Sequence, residues 1–208
     1  MSDPPSRTLG IAFSDGDRVS RVAGAVLRAD GTFDGLTYGA CTVGGTDATD
    51  AVIDLVADSG REDVRHVCLA GVAPAWFNLL DMCRLHEKLD RPVSAVSYEA
   101  SPGLEPALRE AFVGGGGEDD ADDLADRVAV YRSLPPRRRV EVEASNSADL
   151  ESDTTEYLFV RAVGLADDRA AAIVRSLVRE GFRRPEPLRV ASIAASAHRE
   201  AVPDDPSL

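Results

Sequence analysis

The spacing of the apolar residues changes period near residue 46, and that change limits the folds open to the chain. Before it, Thr8 to Phe13, Arg18 to Arg28 and Thr32 to Val43 are runs rich in Val, Leu, Tyr and Thr, the residues that strands favour. Ala29-Asp30-Gly31 joins the second run to the third, and an Asp-Gly pair between apolar runs is a strong hairpin signal. After it, Ala48, Ala51, Val52, Leu55 and Val56 recur at the spacing of one helix face. Thr46 is predicted as the cap of that helix, with Asp47 and Asp50 at its positive end.

The alternation then continues. His66 to Val72 is a continuous apolar run, as in a strand covered on both faces. Trp76, Leu79, Leu80 and Cys83 predict a second amphipathic helix ending near Asp90, Pro92 to Tyr98 a fifth strand, and Leu104 to Phe112 a short helix. Gly114 to Gly117 leads into Glu118, Asp119, Asp120, Asp122 and Asp123. Carboxylates repel phosphate and no GxxxxGK[ST] pattern is present, so residues 114–123 read as an acidic surface loop. A helix from Asp122 to Leu134 stops at Pro135-Pro136, residues 144–155 form a polar loop, and Tyr157 to Val163 is a strand. Ala170, Ile173, Val174, Leu177 and Val178 mark another helix ended by Gly181, and Pro187 opens a last one running to Ala201.

Three turn-linked strands followed by helix–strand alternation imply an α/β fold, a mixed sheet of about five or six strands with helices on its faces. That order is the core order of the RNase H-like fold. Residues 1–208 show no internal repeat and no second core, so one domain is expected. MSDPPSRT lacks an apolar signal-peptide core, and no run of about 18 apolar residues is present, so a cytoplasmic protein without membrane contact is expected.

The formal charge of −13 opposes nucleic acid through its net field. Lys88 is the only lysine. High acid content with so little lysine resembles the halophilic proteins of salt-saturated cytoplasm, where acidity serves solubility and counts little against a DNA partner. Cys41, Cys68 and Cys83, with His66, His86 and His198, share no zinc-site spacing. No GxSxG, HExxH or dinucleotide fingerprint occurs. What remains is carboxylates near strand ends: Asp15, Asp17, Asp47 and Asp81. Hard oxygen ligands of this type hold Mg²⁺ or Mn²⁺, and a metal pair can activate water for phosphodiester cleavage.

Leu9-Gly10-Ile11, Gly44 to Thr49 (GGTDAT), Gly71 to Asp81 (GVAPAWFNLLD) and Pro185 to Ala191 (PEPLRVA) resemble the motifs of the archaeal endonuclease dU family, related to endonuclease V. The resemblance runs from Leu9 to about Ala197. It implies an endonuclease V-like fold and metal-dependent cleavage of DNA at a deaminated base, deoxyuridine, as in DNA repair. Two positions depart from the family pattern: Gly-Ile-Asp is here Gly10-Ile11-Ala12, and the Asp-Gly ending the fourth strand is Ala70-Gly71. A methyl group cannot bind a metal ion. Asp47 is the acid kept, and Asp15 is the candidate replacement, making these two the expected catalytic and metal ligands. Asp15 lies about 10 Å beyond Ala12 along an extended chain and starts on the opposite face.

Asn78, Trp76, Arg137, Arg138, Arg184 and Arg189 are the expected substrate contacts: tryptophan to stack on an unpaired base, arginines to meet phosphate. Each has a structural alternative: Asp47 as a helix-terminal acid, Asn78 as a turn residue, Trp76 as core, the arginines as solvated surface. Three functions stay open. One is a Mg²⁺- or Mn²⁺-dependent endonuclease, one a nucleic-acid-binding or regulatory protein that has lost cleavage, and one a protein-interaction module using the acidic loop.

Overall fold

A computed structural model describes residues 6–101, 103–112, 118–144 and 154–202, with side chains at all of these except 118–122, 143–144 and 154–155. The glycine run at 114–117 and most of the polar loop lie outside them. Three strands, β1 (Arg7–Asp15), β2 (Val19–Arg28) and β3 (Phe33–Thr42), form an antiparallel meander. Asp30 and Gly31 make the second turn as expected: Gly31 adopts φ 81°, and Asp30 accepts the Thr32 amide at 2.8 Å. Next come α1 (Ala48–Asp58), β4 (His66–Ala70), α2 (Pro74–Phe77), α3 (Met82–Leu89) and β5 (Val93–Ser97). α4 (Glu105–Phe112), α5 (Glu118–Ser133), β6 (Arg138–Ala144), β7 (Thr154–Val163), α6 (Asp167–Ser176) and α7 (Glu186–Ala201) complete the order.

The sheet order is β3-β2-β1-β4-β5-β7-β6. β4 lies parallel to both β1 and β5, and β7 pairs antiparallel with β5 and β6. The mixed sheet matches expectation, with seven strands where five or six were expected. The additional strand is β6. Its Val140 and Val142 are buried between charged neighbours, an alternation overshadowed by the arginine run before it.

Leu9, Ile11, Val22, Val67 and Leu69 pack with α1 and α3 on one side of the sheet. Cys68, Val96, Leu158 and Val160 pack with α6 and the start of α7 on the other. Each fully buried Leu, Ile or Val contributes roughly 1.5–3 kcal/mol. α7 comes closest at Gly10, where an added Cβ would lie 2.3 Å from the Pro187 carbonyl carbon. The first and fourth sequence motifs are therefore two sides of one contact, and only glycine permits it.

Two local expectations are corrected. The residue before α1 is Asp47, not Thr46, and its side chain makes no capping bond to the helix. The segment from Trp76 to Asp90 is not one helix. α2 is a single turn, Asn78 to Asp81 are not helical, and α3 starts afresh with Asp81 accepting the Arg84 amide at 2.9 Å. Among the described residues no helix is long and apolar enough to cross a membrane.

Candidate functional site

β1, β4 and β5 run in the same direction, and their carboxyl ends converge on one rim, where ligands of open α/β sheets bind. Ile11 is in register with Leu69, which brings Ala12 and Ala70 into step at that rim. Ala12 is 1% exposed and packs among Ala25, Leu27 and Ala191, with Ala70 and Val190 against them. This floor is made of methyl groups and offers no metal ligand.

Asp15, the expected replacement for Ala12, lies on the other face of β1. Side chains alternate along β1, so Asp15 shares its face with Ile11 and Phe13, the side packed by α1. It accepts a 2.6 Å hydrogen bond from Ser20 Oγ. Asp47, before α1, accepts from Thr42 Oγ1 at 2.8 Å, from the Thr42 amide at 3.1 Å and from Asn78 Nδ2 at 2.7 Å. Partial burial raises the Asp47 carboxyl, but the Asn78 and Thr42 donors outweigh it and hold the group below the usual range. Burial pushes the Cys41 thiol up to about 12, and the charges of Asp47 and Asp15 add to this. Among the described residues, no three His, Cys, Asp or Glu side chains are placed to hold a metal ion. The donor set does not fit a two-metal centre.

The second and third sequence motifs interlock. Asn78 is 0% exposed, and its Oδ1 accepts the Ala48 amide at 2.9 Å while Nδ2 donates to Thr42 O at 2.8 Å and to Asp47. Thr49 Oγ1 donates to Leu79 O at 3.3 Å and accepts the Asp81 amide at 3.0 Å. Reaching this geometry forces Ala75, Trp76 and Phe77 to φ of 48°, 52° and 64°. Left-handed backbone costs roughly 1–2 kcal/mol per non-glycine residue. Gly44 N donates to Ala75 O at 2.7 Å, and a Cβ on Gly44 would meet the Trp76 ring at 2.9 Å. Trp76 is left 53% exposed, tilted against Phe112 at 5.1 Å between ring centroids. It is not the core residue that helical spacing would make it.

Arg127, on α5, holds this turn together and was not expected from the sequence. It is 4% exposed, donates to Phe77 O at 2.5 Å, Gly44 O at 2.6 Å and Gly45 O at 2.9 Å, and pairs with Asp123 at 3.0 Å. Its signal was an arginine on the helical stripe of Leu124, Val128, Tyr131 and Leu134, where a charge needs a buried partner.

A cavity of about 470 Å³ opens at the ends of β4 and β5 beside Ala70. Arg137 and Arg184 line it as two of the expected arginines, joined by Arg161 of β7, which sequence reading passed over inside an apolar strand. Arg138 and Arg189 are elsewhere: Arg138 pairs with Asp167 at 2.7 Å, and Arg189 with Glu186 at 2.7 Å. Trp76 does not line the cavity, but Gly71, Val72 and Ala73, leading into its turn, do.

A family model described as endonuclease dU matches residues 5–199. A UPF0215 protein of Thermococcus kodakarensis is 34% identical over 158 residues, 75% of this chain and 69% of its own length. Among solved structures, a protein of unknown function from Archaeoglobus fulgidus superposes with TM-score 0.73 and 24% identity, covering 92% of this chain and 97% of that one. Endonuclease V of Ciona intestinalis, in complex with inosine-containing DNA, superposes with TM-score 0.57 and 12% identity over 94% of this chain and 86% of that one. The fold is endonuclease V-like, within the RNase H-like class.

Proposed function

Since the chain belongs to the endonuclease dU family, we propose that it binds DNA in the cytoplasm, favouring single strands that carry deaminated bases such as deoxyuridine, without the metal-dependent cleavage of a two-metal nuclease. The observation that carries this reading is the rim itself. Arg137 and Arg184 face the cavity where phosphate can reach them, and Trp76 is exposed on the adjoining turn, while methyl groups fill the two positions where metal-binding acids would stand. Cationic side chains with an exposed aromatic ring are the parts needed to grip a single strand. Under this reading Asn78 supports the turn and does not touch substrate.

A second reading keeps cleavage, with Mg²⁺ or Mn²⁺ on Asp15 and Asp47. It is favoured by their placement at one end of the sheet: Asp15 bonds Ser20, which lies in register with Cys41, and Asp47 bonds the adjacent Thr42.

The test incubates the full chain with deoxyuridine- and deoxyinosine-containing strands and Mg²⁺ or Mn²⁺ in concentrated KCl, reading nicking and binding in parallel. Salt-sensitive binding without nicking beyond that of Asp47→Ala is expected. Metal-dependent nicking abolished by Asp47→Ala would establish the second reading. Absence of binding across the salt series would sink the first.

A further inference from the structure

The three arginines of the rim cavity differ from several others, though Arg175 and Arg199 likewise bond only backbone oxygens among the described residues. In a chain of net charge −13, Arg127, Arg138, Arg183 and Arg189 each find a carboxylate within 3.0 Å. Arg137, Arg161 and Arg184 have no carboxylate partner among the described residues. Their hydrogen bonds go to neutral oxygens. Arg137 donates to Glu99 O at 3.3 Å, Arg161 to Pro135 O and Arg184 to Ser192 Oγ at 3.2 Å. Arg161 is 9% exposed; burial pushes its guanidinium down, Tyr131 opposes this, and the nearby Arg137 charge adds to the downward push. Arg161 is thus held out of water beside the half-buried Arg137, and like charges so placed cost free energy unless an anion joins them.

The rest of the wall is suited to more than a bare anion. Tyr98 and Tyr131, together with Val72, Val96 and Leu104, present rings and apolar surface, and Arg184 lies over the Tyr98 ring at 5.3 Å. Among the described residues Glu99 is the one carboxylate-bearing residue on the wall, and it is exposed. Ala70 also lines the cavity. An aspartate there would set a carboxylate at the rim beside these guanidiniums. The alanine that removes a metal ligand also leaves their charge unneutralised.

We propose that this cavity takes one nucleotide, its phosphate held directly by Arg137, Arg161 and Arg184 and its base or sugar against the tyrosines, so that guanidinium supplies the positive charge a metal ion supplies in a two-metal site. The proposal deepens the DNA-binding reading and rests on it for the identity of the anion as a nucleotide phosphate. A cavity of about 470 Å³ is ample for one nucleotide and falls in the range of small-ligand pockets. Planar guanidiniums make paired charge-assisted bonds to phosphate oxygens, which fixes the phosphate as the anchor.

The test is calorimetric titration of the full chain, without divalent metal and at one fixed KCl concentration, with deoxyuridine 5′-monophosphate, deoxyuridine and inorganic phosphate. The monophosphate is expected to bind at least about tenfold more tightly than the nucleoside, as charge-assisted bonds to phosphate require. Inorganic phosphate is expected to compete weakly. Arg184→Gln, at an exposed position, is expected to weaken the monophosphate about tenfold and leave nucleoside binding unchanged. Arg161→Met can fail to fold, so Arg137→Gln is the second variant, with circular dichroism as the check on both.

Equal affinity for nucleoside and monophosphate, or indifference to both glutamine variants, overturns the proposal. Fluorescence anisotropy with a deoxyuridine-containing strand separates this from the broader reading. A strand that binds while the monophosphate does not overturns the cavity assignment alone. A monophosphate that binds while the strand does not upholds the cavity and sinks the DNA-binding reading.

Discussion

Asn78 donates to Asp47 Oδ1 across 2.7 Å while its own side-chain oxygen accepts the Ala48 amide at 2.9 Å. One buried amide thus ties the start of α1 to the strained turn after β4. The Asp47 carboxylate is occupied by that bond. Its three donors are fixed by folding, so Asp47 works here first as a structural acceptor.

Removing that amide is therefore expected to cost stability. Asn78→Ala strips partners from the Ala48 amide, the Thr42 carbonyl and Asp47, and unmet buried groups cost about 1–3 kcal/mol each. A loss of about 3 kcal/mol is expected in denaturant unfolding at constant KCl. Asn78→Asp is expected to be worse, because it faces Asp47 with a like charge.

Arg127 reaches the same turn from α5, about 50 residues from Phe77 and over 80 from Gly44. Arg127→Met keeps the apolar stem and removes four bonds. A loss of about 3 kcal/mol is expected, with faster amide exchange concentrated at Asn78 and Leu80. Uniform acceleration across the chain, without that concentration, would contradict the clamp.

His66 supplies a pH dependence. Burial pushes its imidazole down to about 4 from an ordinary 6.5. Between those values the unfolded chain takes up a proton that the folded chain refuses, so stability falls as pH drops from 6.5 and this loss ends near 4. About 3 kcal/mol is at stake. His66→Leu paired with Ser94→Ala, which removes the hydroxyl 3.0 Å from the ring, is expected to flatten that slope.

The methyl floor can be turned back into acids. Ala12→Asp buries a carboxylate among Ala25, Leu27 and Ala191, at a cost of several kcal/mol without a partner (about 3–5). With Ala70→Asp beside it, Mn²⁺ is expected to raise the melting temperature of the double variant and leave the parent unmoved. An equal Mn²⁺ shift in the parent would point to a site built from other residues.

Trp76 is the only tryptophan, which makes it a clean reporter. Single-stranded DNA is expected to quench its fluorescence, and Trp76→Ala to weaken strand binding by about 1–3 kcal/mol. Because the ring is 53% exposed, the unfolding midpoint should move little.

Much of the scaffold was legible in the residues. The Asp30-Gly31 turn, the stripe of Ala48, Val52, Leu55 and Val56, and the apolar run of β4 each encode their element through local spacing. The segment from Trp76 to Asp90 misled. Its apolar spacing is helical, but Asn78 gains more by crossing to α1 than a helix would offer, and the turn absorbs the strain. Arg161 escaped notice because an arginine inside a valine-rich strand gives no local sign of the cavity it faces.

By itself the sequence determined the strand–helix order apart from β6 and the break between α2 and α3, together with the family motifs and the two alanines, since these depend on side-chain identity and on periods of two and 3.6 along the chain. The tertiary structure decided the rest: that Gly10 meets Pro187, that Asn78 bonds the start of α1, and that three arginines from β7 and from the segments before β6 and α7 line one cavity beside Ala70. Those facts depend on strand register and on contacts between residues far apart in the chain. Local spacing carries no record of either.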